Sequence, residues 1–327
     1  MIIRASAPGR CGIVGNPTDI YGGSVLSCSV LQRARVTLSD ADSLTLATGG
    51  HELVLRSADD FTRHNDLFDL PKAALRHLHM MDVRLRIEYD SDIPFQAGLS
   101  GSTALLAALV GALLHLKGTQ FERHYFAEYV RSLELNRMNV MCGYQDAYMV
   151  TFGGLNYMEF RDKEYYRSVD EEVFATVESL PSPSPMPFIL AHTGVQRMSG
   201  TVHKPLRERW EDGEDAVVSG YKRIASLGSW GKRAFLLGDW PTLGRQMSEN
   251  HAIQRDLGGS GDENERLISV ALEAGALGAK LAGAGRGGTI IALHPDPHSL
   301  EEALLAAGAE RIMYPQATAG VTVEVVA

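Results

Sequence analysis

The stretch PFQAGLSGSTA, residues 94–104, places two glycines and three hydroxyl side chains directly before a long apolar run. Backbone amides at the start of a helix have no acceptor within the helix, and the helix dipole leaves a partial positive charge there. Glycines allow the backbone to close around an anion, and the hydroxyls of Ser102 and Thr103 can donate to phosphate oxygens or ligate magnesium. The pattern therefore predicts a phosphate-binding loop at a helix N-terminus. A flexible helix cap is the alternative, and a P-loop is excluded because no Gly-Lys-Ser/Thr follows the last glycine.

A second glycine-rich segment, GAGRGG, occupies residues 283–288. It lacks the context of a dinucleotide-binding motif, in which a strand precedes the glycines and an acidic residue follows downstream. One interpretation is a tight turn that leads into a strand at Thr289. The other is a second anion-binding loop, and two such segments in one chain favour the anion-binding interpretation of both.

Two further segments carry charged side chains that suit proton transfer and metal binding. The first, APGRCGIVGNPTDIYGG at residues 7–23, contains the cation Arg10 and the carboxylate Asp19, although a strand and turn with a solvated arginine would have the same residues. The second, CGYQD, ends at Asp146, and Glu134 precedes it on a predicted helix. One carboxylate can orient or deprotonate a substrate hydroxyl while another holds a metal. A solvated acid in a surface loop is the alternative for Asp146.

The composition is that of a globular protein without a broad basic surface. Of the 327 residues, 45% are hydrophobic and 22% are charged, and the formal net charge is -9, which argues against nucleic-acid binding. The three cysteines show no Cys-x-x-Cys spacing and are typical of reduced thiols. No secretory signal is recognisable, and the longest apolar run, residues 104–116, is too short to cross a bilayer. We expect a cytoplasmic monomer or homodimer that binds neither nucleic acid nor membrane.

Short alternating runs predict strands at residues 33–38, 43–48, 52–56, 83–89 and 155–160, and helices are predicted at 102–117 and 122–136. Four prolines within residues 180–187 predict a linker at 181–187. Beyond the linker we predict helical structure over 208–250 with breaks at Gly228 and Gly238, helices at 264–273 and 299–307, and strands at 188–193, 289–294 and 322–326. The pattern predicts an α+β protein with an N-terminal domain, residues 1–180, and a C-terminal domain, residues 188–327.

Taken in order, these segments resemble the motifs of the galactokinase, homoserine kinase, mevalonate kinase and phosphomevalonate kinase superfamily, the GHMP kinases. The segment APGR…NPTDIYGG resembles the first motif, PFQAGLSGSTA the second and KLAGAGRGG the third, so that the resemblance extends from Ala7 to Thr289. It implies a two-domain α+β fold, in which the N-terminal domain is like that of a ribosomal protein and the C-terminal domain is ferredoxin-like. It also implies that ATP binds in the cleft between them.

The resemblance assigns a role to each motif residue. The ATP phosphates would lie on the second-motif loop, with the third-motif glycines shaping the phosphate side of the cleft; these residues are Pro94, Gly98, Leu99, Ser100, Gly101, Ser102, Thr103, Gly283, Gly285, Gly287 and Gly288. Ser102 and Glu134 would ligate Mg²⁺. Asp146 would be the catalytic base, and Arg10 would lower its pKa or stabilise charge. Asp19 would bind sugar hydroxyls, together with Tyr21, Gly22 and Gly23. Arg286 departs from the family pattern, where a smaller residue is commoner.

The segment TDIYGG indicates the sugar-kinase branch. Within that branch, GIVGNPTDIYGGSVLSCSV is similar to glucuronokinases, whereas CGYQDAYMVTFGGLNYMEF and EAGALGAKLAGAGRGG are similar to heptose 7-phosphate kinases. Both groups phosphorylate an anomeric hydroxyl, which is the reaction that the resemblance implies here. A uronate needs one cation for its carboxylate, and a heptose phosphate needs several. Arg197 and Lys204 are candidate anion contacts, or solvated loop cations.

These considerations predict an ATP-dependent kinase for the anomeric hydroxyl of a sugar or sugar acid, with glucuronate first and a heptose 7-phosphate as the alternative. A non-catalytic sugar- or nucleotide-binding regulator on the same scaffold is the alternative from another class. Such a regulator would be expected to lack at least one of Arg10, Ser102, Glu134 and Asp146, and all four are present. A decarboxylase of the mevalonate type is disfavoured by the segment TDIYGG.

Overall fold

Two long antiparallel strands, β1 (Ile2–Val14) and β2 (Ser24–Asp40), form the centre of the larger sheet. The structure is a computed structural model that describes residues 1–138, 141–195, 200–285 and 288–326, with the backbone alone for Arg137 and residues 200–204. The other strands of this sheet are β3 (Leu44–Thr48), β4 (His51–Leu55), β5 (Leu85–Ser91), β6 (Leu155–Glu159), β7 (Thr176–Ser179) and β12 (Thr322–Val325). Their order is β12-β1-β2-β5-β3-β4, and β6 pairs with the first part of β2 and with β7.

A smaller antiparallel sheet has the order β11-β8-β10-β9. Its strands are β8 (Phe188–His192), β9 (Gly278–Leu281), β10 (Thr289–Leu293) and β11 (Arg311–Met313). The α-helices of the described residues are α1 (Asp69–His77), α2 (Gly101–Leu116), α3 (Arg123–Arg137), α4 (Tyr144–Phe152), α5 (Gly200–Glu211), α6 (Asp215–Leu236), α7 (Trp240–Asp256), α8 (Asp262–Glu273) and α9 (Glu301–Ala306). Short 3₁₀ turns occur at Thr18–Tyr21, Ala58–Phe61 and Pro297–Leu300.

Helix α2 is buried against the larger sheet. Its sequence is apolar on nearly every side, because it packs on β1 and β2 and also contacts α3 and α4. A helix buried on several sides holds its first turn in a fixed place, and this turn carries the glycine- and hydroxyl-rich loop. No helix in the described ranges combines the length and apolar character that crossing a membrane requires.

Strand β12, near the C-terminus, belongs to the larger sheet. Strand β12 pairs with β1, with Val325 opposite Ile3 and Thr322 opposite Ser6. The division of the chain at residues 181–187 stays a prediction, and the first sheet takes one strand from the sequence beyond it. The mixed helices and sheets confirm the predicted α+β class.

The predicted breaks in the long helical region have different outcomes. The break at Gly238 is confirmed, because α6 ends at Leu236 and α7 begins at Trp240. The break at Gly228 is wrong, since α6 continues through it. A Cβ atom at Gly228 would lie 2.3 Å from the carbonyl oxygen of Ser24. Glycine is therefore needed there for the close approach of α6 to β2, not to end the helix.

Candidate active site

A cavity of about 1130 Å³ brings the three glycine-containing segments together. Predicted site residues on its wall come from every one of them: Arg10, Asp19, Pro94, Gly98, Ser100, Gly101, Ser102, Glu134, Asp146 and Gly283. Strand β1 joins the two glycine loops, because the backbone N–H of Arg10 donates to the carbonyl oxygen of Leu99 at 3.1 Å and that of Gly12 donates to the carbonyl oxygen of Ala282 at 2.8 Å. The arrangement therefore rests on the central strand of the fold.

The loop before α2 has the geometry of a helix-terminal anion site. Gly98 and Ser100 adopt left-handed backbone angles, with φ of 73° and 63°, and α2 begins at the next residue. The first amides of the helix consequently lie at the cavity, where their unpaired N–H groups and the helix dipole favour an anion. The Ser100 Oγ is buried without a hydrogen-bond partner among the described residues. A buried polar atom of this kind suits a ligand oxygen.

The third glycine segment packs directly on this loop. A Cβ atom at Gly283 would lie 2.5 Å from the carbonyl oxygen of Gly98, so only glycine allows the two loops to come this close. Gly285 and Gly288 pack against the backbone of Gly259 and Ala97 rather than on the cavity wall. Gly287 and Arg286 lie outside the described residues.

Arg10 and Asp146 form an ion pair in the cavity wall. The Nε and Nη2 atoms of Arg10 donate to the same oxygen of Asp146, Oδ1, at 2.8 and 2.5 Å, and Nη1 donates to the carbonyl oxygen of Gly98 at 2.7 Å. The Arg10 side chain is 7% exposed and that of Asp146 is 22% exposed. Within the described residues, the Oδ2 atom of Asp146 accepts no hydrogen bond, so it is available to a ligand.

Asp19 provides a second carboxylate near Asp146. It is buried and accepts a hydrogen bond from the backbone N–H of Gln145 at 2.9 Å, one residue before Asp146 at the start of α4. Burial raises the pKa of Asp19 above its ordinary value; the Gln145 N–H opposes this shift, and the charge of Asp146 adds to it. The hydrogen bond to Gln145 therefore keeps the Asp19 carboxylate near that of Asp146. Asp19 is buried and accepts from a backbone N–H, whereas Asp146 is partly exposed and pairs with Arg10.

Glu134 reaches the phosphate loop from α3. The hydroxyls of Ser102 and Thr103 donate to Oε1 and Oε2 of Glu134, each at 2.7 Å. Burial raises the pKa of this carboxyl, and the two hydroxyl hydrogen bonds oppose the shift. Adjacent hydroxyl and carboxylate oxygens are the donor types that Mg²⁺ prefers, so the residues present fit this metal.

Of the remaining predicted substrate residues, the described ones, Tyr21, Gly22 and Gly23, are absent from the wall of this cavity. Tyr21 and Gly22 line a separate cleft of about 910 Å³, and a Cβ atom at Gly23 would lie 2.2 Å from the Thr18 hydroxyl within the same turn. Of the predicted phosphate-binding residues, Leu99 and Thr103 are buried and are absent from the described cavity wall. Arg197 lies outside the described residues, and the side chain of Lys204 is not described.

Two residues to which the sequence analysis gave no role, Asn16 and Lys280, lie at the site. Asn16 lines the cavity, and Lys280, which is fully buried, donates to its Oδ1 at 2.7 Å. The only sequence signal is the position of Lys280 just before the third glycine segment, and a lysine in sequence is ordinarily assigned to the surface.

The burial of Lys280 predicts a pH-dependent stability between pH 7 and 8.5. Burial lowers the pKa of Lys280 to about 7; the thiol of Cys11 opposes this shift, and the Arg10 cation adds to it. Because the unfolded lysine stays protonated up to about pH 10, the free energy of unfolding rises with pH from 7, by at most about 1.4 kcal/mol per pH unit. Urea unfolding of wild type and Lys280→Met at pH 7.0, 7.7 and 8.5 measures this rise.

The variant isolates the lysine from the other groups that titrate. The groups facing Lys280 are Arg10 and Cys11 on β1 and His251 on α7. Burial lowers the pKa of His251 below its ordinary value of 6.5, so it titrates below this window, and Cys11, whose pKa burial raises to about 12, is common to both proteins. A rise of equal slope in the two proteins would contradict the assignment to Lys280.

Two family models match the chain. The model of the GHMP kinases N terminal domain matches residues 69–154, and the model of the GHMP kinases C terminal region matches residues 232–311. The two ranges include the phosphate loop, Glu134, Asp146 and the third glycine segment.

Relatives and a solved structure agree with the family models over nearly the whole chain. Glucuronokinase 1 of Arabidopsis thaliana is 29% identical over 328 residues, covering 91% of this chain and 88% of the relative. The D-glycero-alpha-D-manno-heptose 7-phosphate kinase of Campylobacter jejuni is 23% identical over 301 residues, covering 88% and 87%. The fold matches that of Lactococcus lactis galactokinase complexed with galactose with a TM-score of 0.79 at 19% identity, covering 98% of this chain and 95% of that one. The chain belongs to the GHMP kinases and is a phosphotransferase of that family.

Proposed function

We propose that the protein transfers the terminal phosphoryl group of ATP to the anomeric hydroxyl of a sugar acid, with glucuronate as the first candidate. The observation that carries the proposal is the Arg10–Asp146 pair, which opens into the same cavity as the loop at the start of α2. A carboxylate with one free oxygen then lies in the same cavity as a helix-terminal loop whose geometry suits phosphate.

The nucleotide would occupy this cavity with its phosphates at the loop before α2. Three exposed apolar side chains on the cavity wall suit contact with a purine ring: Leu31, Leu67 and Phe95. The amides at the start of α2 and the Ser100 hydroxyl would hold the phosphates. Ser102 and Glu134 would hold Mg²⁺, which supplies neutralisation of phosphate charge when bound.

The protein's own residues account for positioning and proton transfer. Asp146 would accept a hydrogen bond from the sugar hydroxyl at Oδ2 and take its proton as the oxygen attacks phosphorus. Arg10 directs Asp146 Oδ2 away from itself, because its Nε and Nη2 atoms both donate to Oδ1. Asp19 would bind a second hydroxyl of the sugar, which fixes the orientation of the ring.

The described cations favour a monoanionic sugar acid over a sugar phosphate. Among the described residues on the cavity wall, the cationic ones are Arg10 and Arg311, and Arg10 is already paired with Asp146. One cation is enough for a carboxylate, whereas a phosphate dianion is usually bound by several donors. The greater identity to a glucuronokinase than to a heptose 7-phosphate kinase agrees with this choice.

The test is ADP release from Mg-ATP with glucuronate, galacturonate, galactose and heptose 7-phosphate, each with wild type and with Asp146→Asn. Glucuronate-dependent release in wild type alone supports the proposal. ADP release with heptose 7-phosphate alone would show that this sugar phosphate, and not glucuronate, is the substrate. ATP binding without release for any of these acceptors overturns the catalytic proposal and favours a non-catalytic binding protein.

Glu134→Gln is expected to raise the Mg²⁺ concentration for half-maximal turnover about tenfold or more, because the neutral amide is a weaker ligand than a carboxylate. Titration of Mn²⁺ into protein and a non-hydrolysable ATP analogue, followed by electron paramagnetic resonance, measures the same loss without turnover. Glu302→Gln on α9, which is exposed, is the matched control. An unchanged metal requirement in Glu134→Gln would remove Glu134 from the metal site.

A further inference from the structure

Lys280 is a buried cation without a carboxylate partner among the described residues. It is the third residue of β9. Its Nζ atom donates to Asn16 Oδ1 at 2.7 Å and to the carbonyl oxygen of Leu281 at 2.5 Å. The charged side chain is fully buried. An interior ammonium costs more free energy than an apolar residue of the same size, so packing alone does not explain it.

The side-chain amide of Asn16 forms hydrogen bonds to Lys280 on β9 and to Gly283 in the third glycine segment. Its Nδ2 donates to the carbonyl oxygen of Gly283 at 3.3 Å, and its Oδ1 accepts from Lys280. The backbone around Asn16 is held from α7, because Asn250 accepts from the Gly15 N–H at 2.9 Å and donates to the Asn16 carbonyl oxygen at 3.1 Å. Three residues after Asn16 comes Asp19.

The chemistry of the ammonium fixes the direction of this amide. In its charged form lysine has donors and no acceptor, so its partner is then the oxygen of Asn16, and the NH₂ group is left to face Gly283. Without Lys280 the direction of the amide would rest on the hydrogen bond from its Nδ2 to the Gly283 carbonyl oxygen alone, which at 3.3 Å is the longer of the two contacts. The flipped form would place an amide oxygen against the Gly283 carbonyl oxygen.

We propose that Lys280 is a positioning residue that orients the Asn16 amide and thereby holds the segment before Asp19 against the third glycine loop. It acts through Asn16 and does not touch the substrate. Loss of this contact would leave the fold in place while the two sides of the cavity lose their alignment. The kinetic consequence rests on the proposed kinase function, and the structural consequence does not.

The kinetic test is a cycle of Lys280→Met, Asn16→Ala and the double variant, with Lys222→Met, an exposed lysine on α6, as the control. Each single variant is expected to lower kcat about tenfold, and the double variant about tenfold as well, because both remove the same contact. A hundredfold loss in the double variant, or wild-type kcat in Lys280→Met, overturns the proposal.

The structural test follows the Asn16 NH₂ signals by nuclear magnetic resonance, identified by their absence in Asn16→Ala. Their hydrogen exchange is expected to be at least about tenfold faster in Lys280→Met than in wild type or Lys222→Met. If Lys280→Met does not fold, the test is a pH titration of the wild-type protein. The chemical shifts of the Asn16 NH₂ signals must then change with pH, with a midpoint near the pKa of Lys280. Unchanged exchange, or no such shift, overturns the proposal even if turnover is never observed; absent turnover with the expected exchange refutes the kinase proposal alone.

Discussion

Asp146→Asn is expected to lower kcat for the sugar-dependent reaction by a factor of about 100 or more, the scale of losing a general base. The amide keeps the size of the side chain but cannot accept the hydroxyl proton. Its oxygen can still accept from Arg10, as Oδ1 does now, so the fold and the KM for ATP should change little. Steady-state kinetics with ADP detection measures both parameters.

The control is Asp42→Asn, which makes the same chemical change at an exposed position in the turn after β2. It should retain wild-type kcat. Circular dichroism of both variants shows whether a loss of turnover comes from unfolding. A folded Asp146→Asn protein with near-wild-type kcat would remove Asp146 from the role of base.

Arg10→Met is expected to lose both turnover and stability. The substitution leaves the Asp146 carboxylate without its cation in a largely buried wall, which costs about 3 kcal/mol of unfolding free energy, the lower end for a buried pair because Asp146 is partly exposed. Turnover should fall by at least about 100-fold, since the base loses the donors that orient it. Urea unfolding and ADP release measure the two effects.

The double variant Arg10→Met/Asp146→Asn separates charge from packing. It removes the unpaired carboxylate, so it should recover about half or more of the lost unfolding free energy while turnover stays low. Arg84→Met, at an exposed position, is the control for the change in side chain. Additive stability losses in the double variant would show that the ion pair does not account for the effect.

The sequence predicted the parts of the site that depend on local chemistry. A loop of small donors before an apolar helix was identifiable from residues 94–104, and the structure places Gly98, Ser100 and Ser102 of that loop on the cavity wall. The roles of Arg10 and Asp146 remain predictions. Their proximity is a fact of the fold, and in the sequence it was implied only by the family resemblance.

The elements that position these residues were harder to predict. A strand was only the alternative for residues 7–23, because Pro8, Gly9 and Gly12 are typical of loops, yet all three lie in the buried strand β1 beside both glycine segments. Helix α4 was not predicted, and a surface loop was the alternative for Asp146, which in fact lies in the first turn of this helix. Tertiary packing decided both cases against local propensity.

Phosphorus-31 magnetic resonance of the reaction mixture tests the central claim most directly. With wild type, ATP, Mg²⁺ and glucuronate, a phosphate signal coupled to the anomeric proton should grow as the ATP signals decline, and with Asp146→Asn it should grow at least about 100-fold more slowly. Phosphate on another hydroxyl of the sugar, or only inorganic phosphate from ATP, would contradict transfer to the anomeric hydroxyl at the Arg10–Asp146 site.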